Sequence, residues 1–238
     1  MTADEPRRRR VPPVAERALD TALDKALAVQ RPVVLGYLDR VRRKRPHMTP
    51  AEVVRQLERR YLTAVVGIGG AAGAAAAVPG AGTAASLASG TAEVAAFVSA
   101  SAMYVLALAE LHGITVSDPE VRRALVVAVL LGESGEAAVE IAAAGRSAHW
   151  AELLNRPTTR DKLGGLNTRL GRMLLTRFGA RQGVLALGRA LPLGIGAGIG
   201  AAGNAALARG AIAAARRAFG PPPRRFPGRV IDVPNRAN

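Results

Sequence analysis

The stretch LPLGIGAGIGAAGNAALARG, residues 191–210, is unusually rich in glycine. Such segments either form loops that bind phosphate or let two helix backbones approach closely. Gly198, Gly200 and Gly203 satisfy the G-x-G-x-x-G pattern of dinucleotide-binding loops. Those loops also need a preceding strand and an acidic residue about 20 positions later, whereas the next carboxylate here belongs to Asp232. The stretch therefore favours close helix packing over nucleotide binding.

Four-residue spacing within the stretch supports helix packing. Gly194 and Gly198, then Gly196 and Gly200, are four positions apart, so each pair lies on one side of a helix. The chain is 49% hydrophobic but has only four Phe, three Tyr and one Trp. Ala, Val and Leu recur at spacings of three and four, without the alternation of strands. We predict an all-α protein, a compact bundle of about seven or eight helices with Gly/Ala-rich apolar helical hairpins.

Capping residues mark two helix starts. In MTPAEVVRQLERRYL, Thr49 is the predicted N-cap, Pro50 the first helical residue and Glu52 the third, which together form a capping box. In TVSDPEVRRALVVAVLL, Ser117 is the predicted N-cap and Pro119 lies just inside the helix. A later helix is predicted to place Leu163, Leu166, Leu170, Leu174 and Phe178 on one side and Arg169, Arg172 and Thr176 on the other.

The chain divides into an arm, one helical domain and a tail. Residues 1–13 contain four consecutive arginines beside prolines, which is typical of a flexible basic arm. Residues 14–219 form the predicted helical domain, and residues 220–238 form a Pro/Arg-rich tail. The first helix is expected to kink near Pro32 and to end before Pro46.

Charge is distributed unevenly along this basic chain, whose formal net charge is +15. Residues 1–60 carry 15 Lys or Arg and 8 Asp or Glu, residues 61–145 carry 2 and 7, and residues 146–238 carry 16 and 3. Two basic flanks around an apolar middle suit an anionic partner, either nucleic acid or the cytoplasmic leaflet of a membrane. The predicted contacts to an anionic surface are Arg7, Arg8, Arg9, Arg10, Arg169 and Arg172.

Two apolar segments are membrane candidates. No charged residue occurs between Tyr61 and Ala92, but Pro79 and Gly80 interrupt this span, which predicts a helix-break-helix or re-entrant hairpin. The next segment, EVAAFVSASAMYVLALAELHG at residues 93–113, is the better membrane candidate and fits a buried core helix equally well. The residues predicted at helix packing or membrane contacts are Gly69, Gly73, Pro79, Gly80, Gly194, Gly196, Gly198, Gly200 and Asn204.

The sequence offers no recognisable catalytic or metal-binding pattern. Cysteine is absent, which excludes disulfides and thiolate chemistry. His47, His112 and His149 are far apart in the sequence, and no HExxH, G-x-S-x-G or P-loop motif occurs. We therefore expect a non-enzymatic protein without a cofactor or metal ion.

Four segments in order resemble the EcsC family of bacterial proteins: TPAEVVRQLERRYL, AAVPGAGTAA, ALAELHGITVSDPEVRRALVVAVLL and LGRALPLGIGAGIGAAGNAALARGAIAAARRAF. The similarity covers roughly residues 45–219. Its most specific parts are the Pro79-Gly80 break, the Asp118-Pro119-Glu120 helix start and the Gly-rich segment that ends at Asn204. The resemblance implies a mostly helical, membrane-associated bacterial protein without an established activity.

The expected function is that of an accessory or interaction protein of the EcsC type. Apolar Gly/Ala-rich hairpins and basic flanks would dock it on the cytoplasmic face of the bacterial cytoplasmic membrane. Its expected partners are the anionic membrane surface and a membrane protein complex or transporter. The alternative is a soluble, cytoplasmic, basic helical protein that binds nucleic acid, although few aromatic residues accompany the arginines and no nucleic-acid-binding motif is present.

Overall fold

The computed structural model describes residues 21, 24, 27, 31–76, 83–114, 116–189 and 195–227. Within these residues the chain is helical and contains no strand, so the predicted all-α bundle is confirmed. The helices are α1 (Arg31–Lys44), α2 (Pro50–Ala76), α3 (Thr83–Leu111), α4 (Pro119–Leu131), α5 (Glu133–Ala142), a 3₁₀ helix (Trp150–Asn155), α6 (Pro157–Arg160), α7 (Leu163–Arg189) and α8 (Ile195–Phe219).

Helices α2 and α8 form a long antiparallel pair. At one end Glu58 of α2 accepts two hydrogen bonds from Arg216 of α8, at 2.8 and 2.7 Å. Farther along, Nδ2 of Asn204 donates to the carbonyl oxygen of Val65 at 3.2 Å. Residue numbers rise along α2 as those of their partners fall along α8, which sets the antiparallel direction. The end of α2 at Ala76 and the start of α8 at Ile195 therefore lie at the same end of the pair.

Helix α3 packs beside this pair as a core helix. The hydroxyl oxygens of Tyr61 on α2 and Ser101 on α3 are 2.8 Å apart. All residues from Tyr104 to Ala109 are buried. In the described part of the chain, Ala92–Leu111 is the one segment long and apolar enough to cross a membrane. Within its 18 most apolar consecutive residues, 61% are buried inside the protein. Its apolar surface thus already contacts other helices.

Helix α4 lies in the centre of the second half of the fold. Eight consecutive residues, from Ala124 to Leu131, are buried because α5, α7, α8 and the 3₁₀ helix surround it. As predicted, α7 buries its leucine side and exposes its polar side. The buried residues are Leu163, Leu166, Leu170 and Leu174, and the exposed residues are Arg169, Arg172 and Thr176. The side chain of Phe178 lies outside the described part.

The two predicted helix starts have different outcomes. The capping box at α2 is confirmed, because Thr49 Oγ1 accepts from the amide of Glu52 at 3.3 Å and Glu52 Oε2 accepts from the amide of Thr49 at 2.7 Å. The prediction that Ser117 caps α4 is wrong. The N-cap is Asp118, whose Oδ1 accepts from the amide of Glu120 at 2.8 Å. Pro119 occupies the first helical position, which sets the cap one residue later than predicted.

The predicted end of the first helix is confirmed, because α1 ends at Lys44, two positions before Pro46. The predicted kink near Pro32 is not tested, since residues 28–30 lie outside the described part. The predicted break at Pro79 and Gly80 falls outside the described residues, between the end of α2 and the start of α3. Of the predicted tail, residues 220–227 are described, and Phe226 is half-buried against the helical core.

Candidate anion-binding surface

The structure brings together three of the residues predicted at helix contacts. Gly69 of α2 lies against Gly200 and Asn204 of α8, and a Cβ on Gly69 would lie 2.5 Å from the Gly200 carbonyl oxygen. Gly198 faces open space, and Gly73 and Gly196 lie in α2 and α8 respectively. Gly194, Pro79 and Gly80 lie outside the described residues.

Asn204 connects three helices through one buried amide. Besides its bond to Val65 of α2, Nδ2 donates to Oε1 of Glu93 on α3 at 3.2 Å. Asn204 is 4% exposed and Glu93 is 7% exposed. Because a buried carboxylate without a donor is costly, this amide stabilises the position of Glu93. The arrangement holds three helices together.

A second buried polar cluster surrounds Tyr61. Its ring stacks on that of Tyr104, with centroids 4.5 Å apart. Burial raises the pKa of Tyr61 to about 12 and raises that of Tyr104 further above its ordinary range. The Tyr104 hydroxyl has no hydrogen-bond partner among the described residues. Both phenols are therefore protonated at neutral pH, which makes them poor candidates for proton transfer.

An arginine-rich surface lies where α1 ends and α2 begins. Eight Lys or Arg residues between positions 40 and 60 are exposed: Arg40, Arg42, Arg43, Lys44, Arg45, Arg55, Arg59 and Arg60. The two carboxylates in this range already have partners, because Glu52 belongs to the capping box and Glu58 pairs with Arg216. The surface is therefore strongly positive.

A groove of about 500 Å³ crosses this surface, and we call it the arginine groove. Its lining residues are Arg45, Met48, Glu52, Arg55, Gln56, Arg59 and Arg60. Hydrogen bonds from the backbone and side chain of Thr49 lower the pKa of Glu52, so this carboxylate stays charged at neutral pH. Four guanidinium groups thus share the groove with one carboxylate.

Three of these guanidinium groups form no ion pair with a described residue, although the charge of Arg55, after the hydrogen bonds from Thr49, also lowers the pKa of Glu52. Arg60 donates to the hydroxyl of Tyr37 at 3.1 Å. The side chains of Arg45, Arg55 and Arg59, by contrast, form no ion pair with any residue that the structure describes. Arg42, outside the groove, lies 4.5 Å from the centroid of the Phe226 ring. The groove therefore presents three guanidinium groups to an incoming anion.

Of the predicted basic contacts, the two that the structure describes, Arg169 and Arg172, do not line this groove. Arg7 to Arg10 lie outside the described residues, and Arg169 and Arg172 are exposed on α7. Arg172 lines a separate groove that also contains the carboxylate of Glu120. The arginine groove is not apparent from the sequence because Arg45 comes from the turn after α1, whereas the other three arginines come from α2. The signal was the run RVRRKR followed by Arg55 and Arg59 at helical spacing.

Two of the three histidines, His112 and His149, contact neighbouring residues at the C-terminal end of α8. His47 is exposed, His112 stacks on Phe219 with centroids 5.3 Å apart, and the ring of His149 packs against Gly220. Among the described residues, no group of three His, Cys, Asp or Glu side chains is placed to hold a metal ion. No family model, curated protein or solved structure matches this chain.

Proposed function

We propose that this protein is a non-enzymatic accessory protein that docks on the anionic, cytoplasmic face of a bacterial membrane. The observation that carries the proposal is the concentration of eight exposed cations on α1 and α2, with three guanidinium groups unpaired among the described residues. A basic residue near an anionic bilayer contributes about 1 kcal/mol to binding. Several such residues held on two helices that a short turn connects supply enough attraction for peripheral attachment.

The position of α3 favours attachment at the surface over insertion of that helix. Withdrawing α3 into a bilayer would break the bond between Tyr61 and Ser101 and leave Glu93 without the amide of Asn204. Lipid offers no replacement for either polar contact. The apolar segment that best fits a membrane span is therefore proposed to stay in the protein core.

The second half of α2 is proposed to approach the membrane beside the arginines. From Tyr61 to Ala76 the helix continues for about 24 Å without a charged residue. Thr63, Ala64, Gly67 and other small residues are exposed along it. A bilayer that lies along α2 would contact guanidinium groups in the first half of the helix and small uncharged side chains in the second half.

Flotation of the full chain with vesicles tests the proposal. Vesicles of phosphatidylcholine with phosphatidylglycerol should carry the protein upward at low salt, whereas pure phosphatidylcholine vesicles should not. In the native host, membranes should release the protein into high salt or alkaline carbonate, because no helix needs to leave the lipid. Retention through both washes would contradict peripheral docking.

Nucleic acid serves as the competing ligand in the same assay, since its phosphates satisfy the same arginines. We expect a duplex oligonucleotide to compete weakly and with a steep dependence on salt. Tight duplex binding combined with failure to bind anionic vesicles would overturn the membrane proposal and support a nucleic-acid-binding protein.

A further inference from the structure

We propose that the arginine groove is a binding site for the phosphate of one lipid headgroup, in addition to being part of a positive surface. This inference rests on the proposed membrane function, because the phosphate comes from the lipid. It makes a stronger claim, however, since diffuse attraction depends only on surface charge, whereas a site depends on the chemistry of the anion.

The placement of the arginines on α2 argues for a bound anion. Arg55 and Arg59 are four positions apart on one helix, where like charges repel and destabilise the helix. Neither forms an ion pair with a described residue. Arg45, from the turn between α1 and α2, lines the same groove. A single anion between these groups would convert mutual repulsion into attraction.

Phosphate fits this set of donors better than a carboxylate does. Guanidinium groups bind phosphate through paired hydrogen bonds, and three of them provide more donors than the two oxygens of a carboxylate accept. A volume of about 500 Å³ is within the range of pockets that hold small ligands. A headgroup phosphate and its glycerol fit within that volume.

Gln56 gives the groove an additional polar group. It lines the groove, and its Oε1 is buried without a hydrogen-bond partner among the described residues. A buried amide oxygen without a donor destabilises the protein. Rotation of the side chain toward a headgroup hydroxyl would provide that donor. Phosphatidylglycerol, which has both a phosphate and free hydroxyl groups, is therefore the expected lipid.

The test compares two kinds of vesicle with equal zeta potential. Vesicles of digalactosyldiacylglycerol, a neutral lipid without phosphate, are made anionic either with phosphatidylglycerol or with oleate, whose only anionic group is a carboxylate. We expect the full chain to bind the phosphatidylglycerol vesicles about tenfold more tightly. The double variant Arg55→Gln/Arg59→Gln should bind them about 30-fold more weakly than the wild type and should lose the preference between the two lipids.

The matched control is Arg156→Gln/Arg160→Gln, which removes the same charge at α6 from two arginines that are also four positions apart, and should keep the preference for phosphatidylglycerol. All four side chains are exposed, and circular dichroism would check that both variants fold. Equal binding of the wild type to both vesicle types, or equal losses in the two variants, would overturn the groove site and leave the membrane function standing. Binding to neither type would overturn both.

Discussion

Gly69 must be small because the backbone of Gly200, far away in the sequence, lies directly against it. A Cβ there would also lie 2.6 Å from Nδ2 of Asn204, the amide that holds Glu93. The Gly200 carbonyl is backbone and moves only with α8. A side chain at this position therefore disturbs both the packing of two helices and a buried hydrogen-bond network.

Replacing Gly69 with alanine should destabilise the protein by about 1–3 kcal/mol, because the added methyl group overpacks the contact. The matched control is Gly67→Ala on the same helix, where a Cβ would meet no atom within 4 Å. That substitution should be neutral or stabilise by up to about 1 kcal/mol, owing to the higher helix propensity of alanine. Urea unfolding measures both changes, and equal effects would contradict the close contact.

The two buried tyrosines predict loss of stability at alkaline pH. The pKa of Tyr61 rises from its ordinary value of 10.0 to about 12 in the folded protein. As the pH passes 10, tyrosine ionises in the unfolded chain but stays protonated in the fold. The contribution of Tyr61 to the free energy of unfolding is therefore constant below pH 10. It falls between about pH 10 and 12, by at most about 1.4 kcal/mol per pH unit.

Urea unfolding at pH values from 8 to 11.5 would measure this slope. The variant Tyr61→Phe removes one ionising group and keeps a ring that can stack on Tyr104, so its stability should fall less steeply above pH 10 than that of the wild type. Parallel curves for the two proteins would show that Tyr61 does not resist ionisation. Any constant offset between them reflects the lost hydrogen bond with Ser101 and does not bear on the pKa.

At the scale of the helix, the start of α4 distinguishes two adjacent polar residues. Asp118→Ala should destabilise the protein by about 1 kcal/mol, because Asp118 accepts the amide hydrogen bond at the helix N-terminus. Ser117→Ala should change stability by less than about 0.5 kcal/mol, because the hydroxyl of Ser117 does not cap the helix. Chemical denaturation measures the free energy of unfolding of both variants and so shows which residue caps α4. A larger loss of stability at Ser117 would support the prediction made from sequence.

The elements that sequence predicts best are those set by local interactions. The capping box is readable because Thr49 and Glu52 are three positions apart and bond to each other. The start of α4 is ambiguous, since Ser117 and Asp118 are both good N-cap residues and tertiary contacts help to select one. Arg122, for example, donates to the carbonyl oxygen of Ser117 at 2.9 Å.

Contacts between distant segments are not predictable in the same way. Four-residue spacing marks Gly200 as a packing residue but does not identify Gly69 as its partner. The arginine groove has the same origin, because Arg45 and Arg59 meet only after the turn between α1 and α2 has formed. The local pattern indicates which residues are suited to a contact, and the arrangement of helices selects the contacts that form.

For the whole molecule, burial predicts unequal local stability. Helix α1 packs one face on α3 and is also held by Arg60 on Tyr37 and by Phe226 on Arg42. Helix α4 is buried along eight consecutive residues. Amides in α1 should therefore exchange with solvent at least about tenfold faster than those of residues 124–131, through opening of α1 alone. Native-state hydrogen exchange resolves the two helices, and equal protection would mean that they open as one unit.

The pairing of α2 with α8 also joins segments that leave the ribosome at different times. The Val65 carbonyl and its partner Asn204 are 139 positions apart. At about 5–20 residues per second, synthesis of that interval takes roughly 7–28 s. During this time α2 can pack on α3, but Gly69 has no neighbour from α8 and Glu93 has no amide from Asn204. Nascent chains that stop before α8 are therefore expected to need a chaperone, and completion of α8 is the event that releases them.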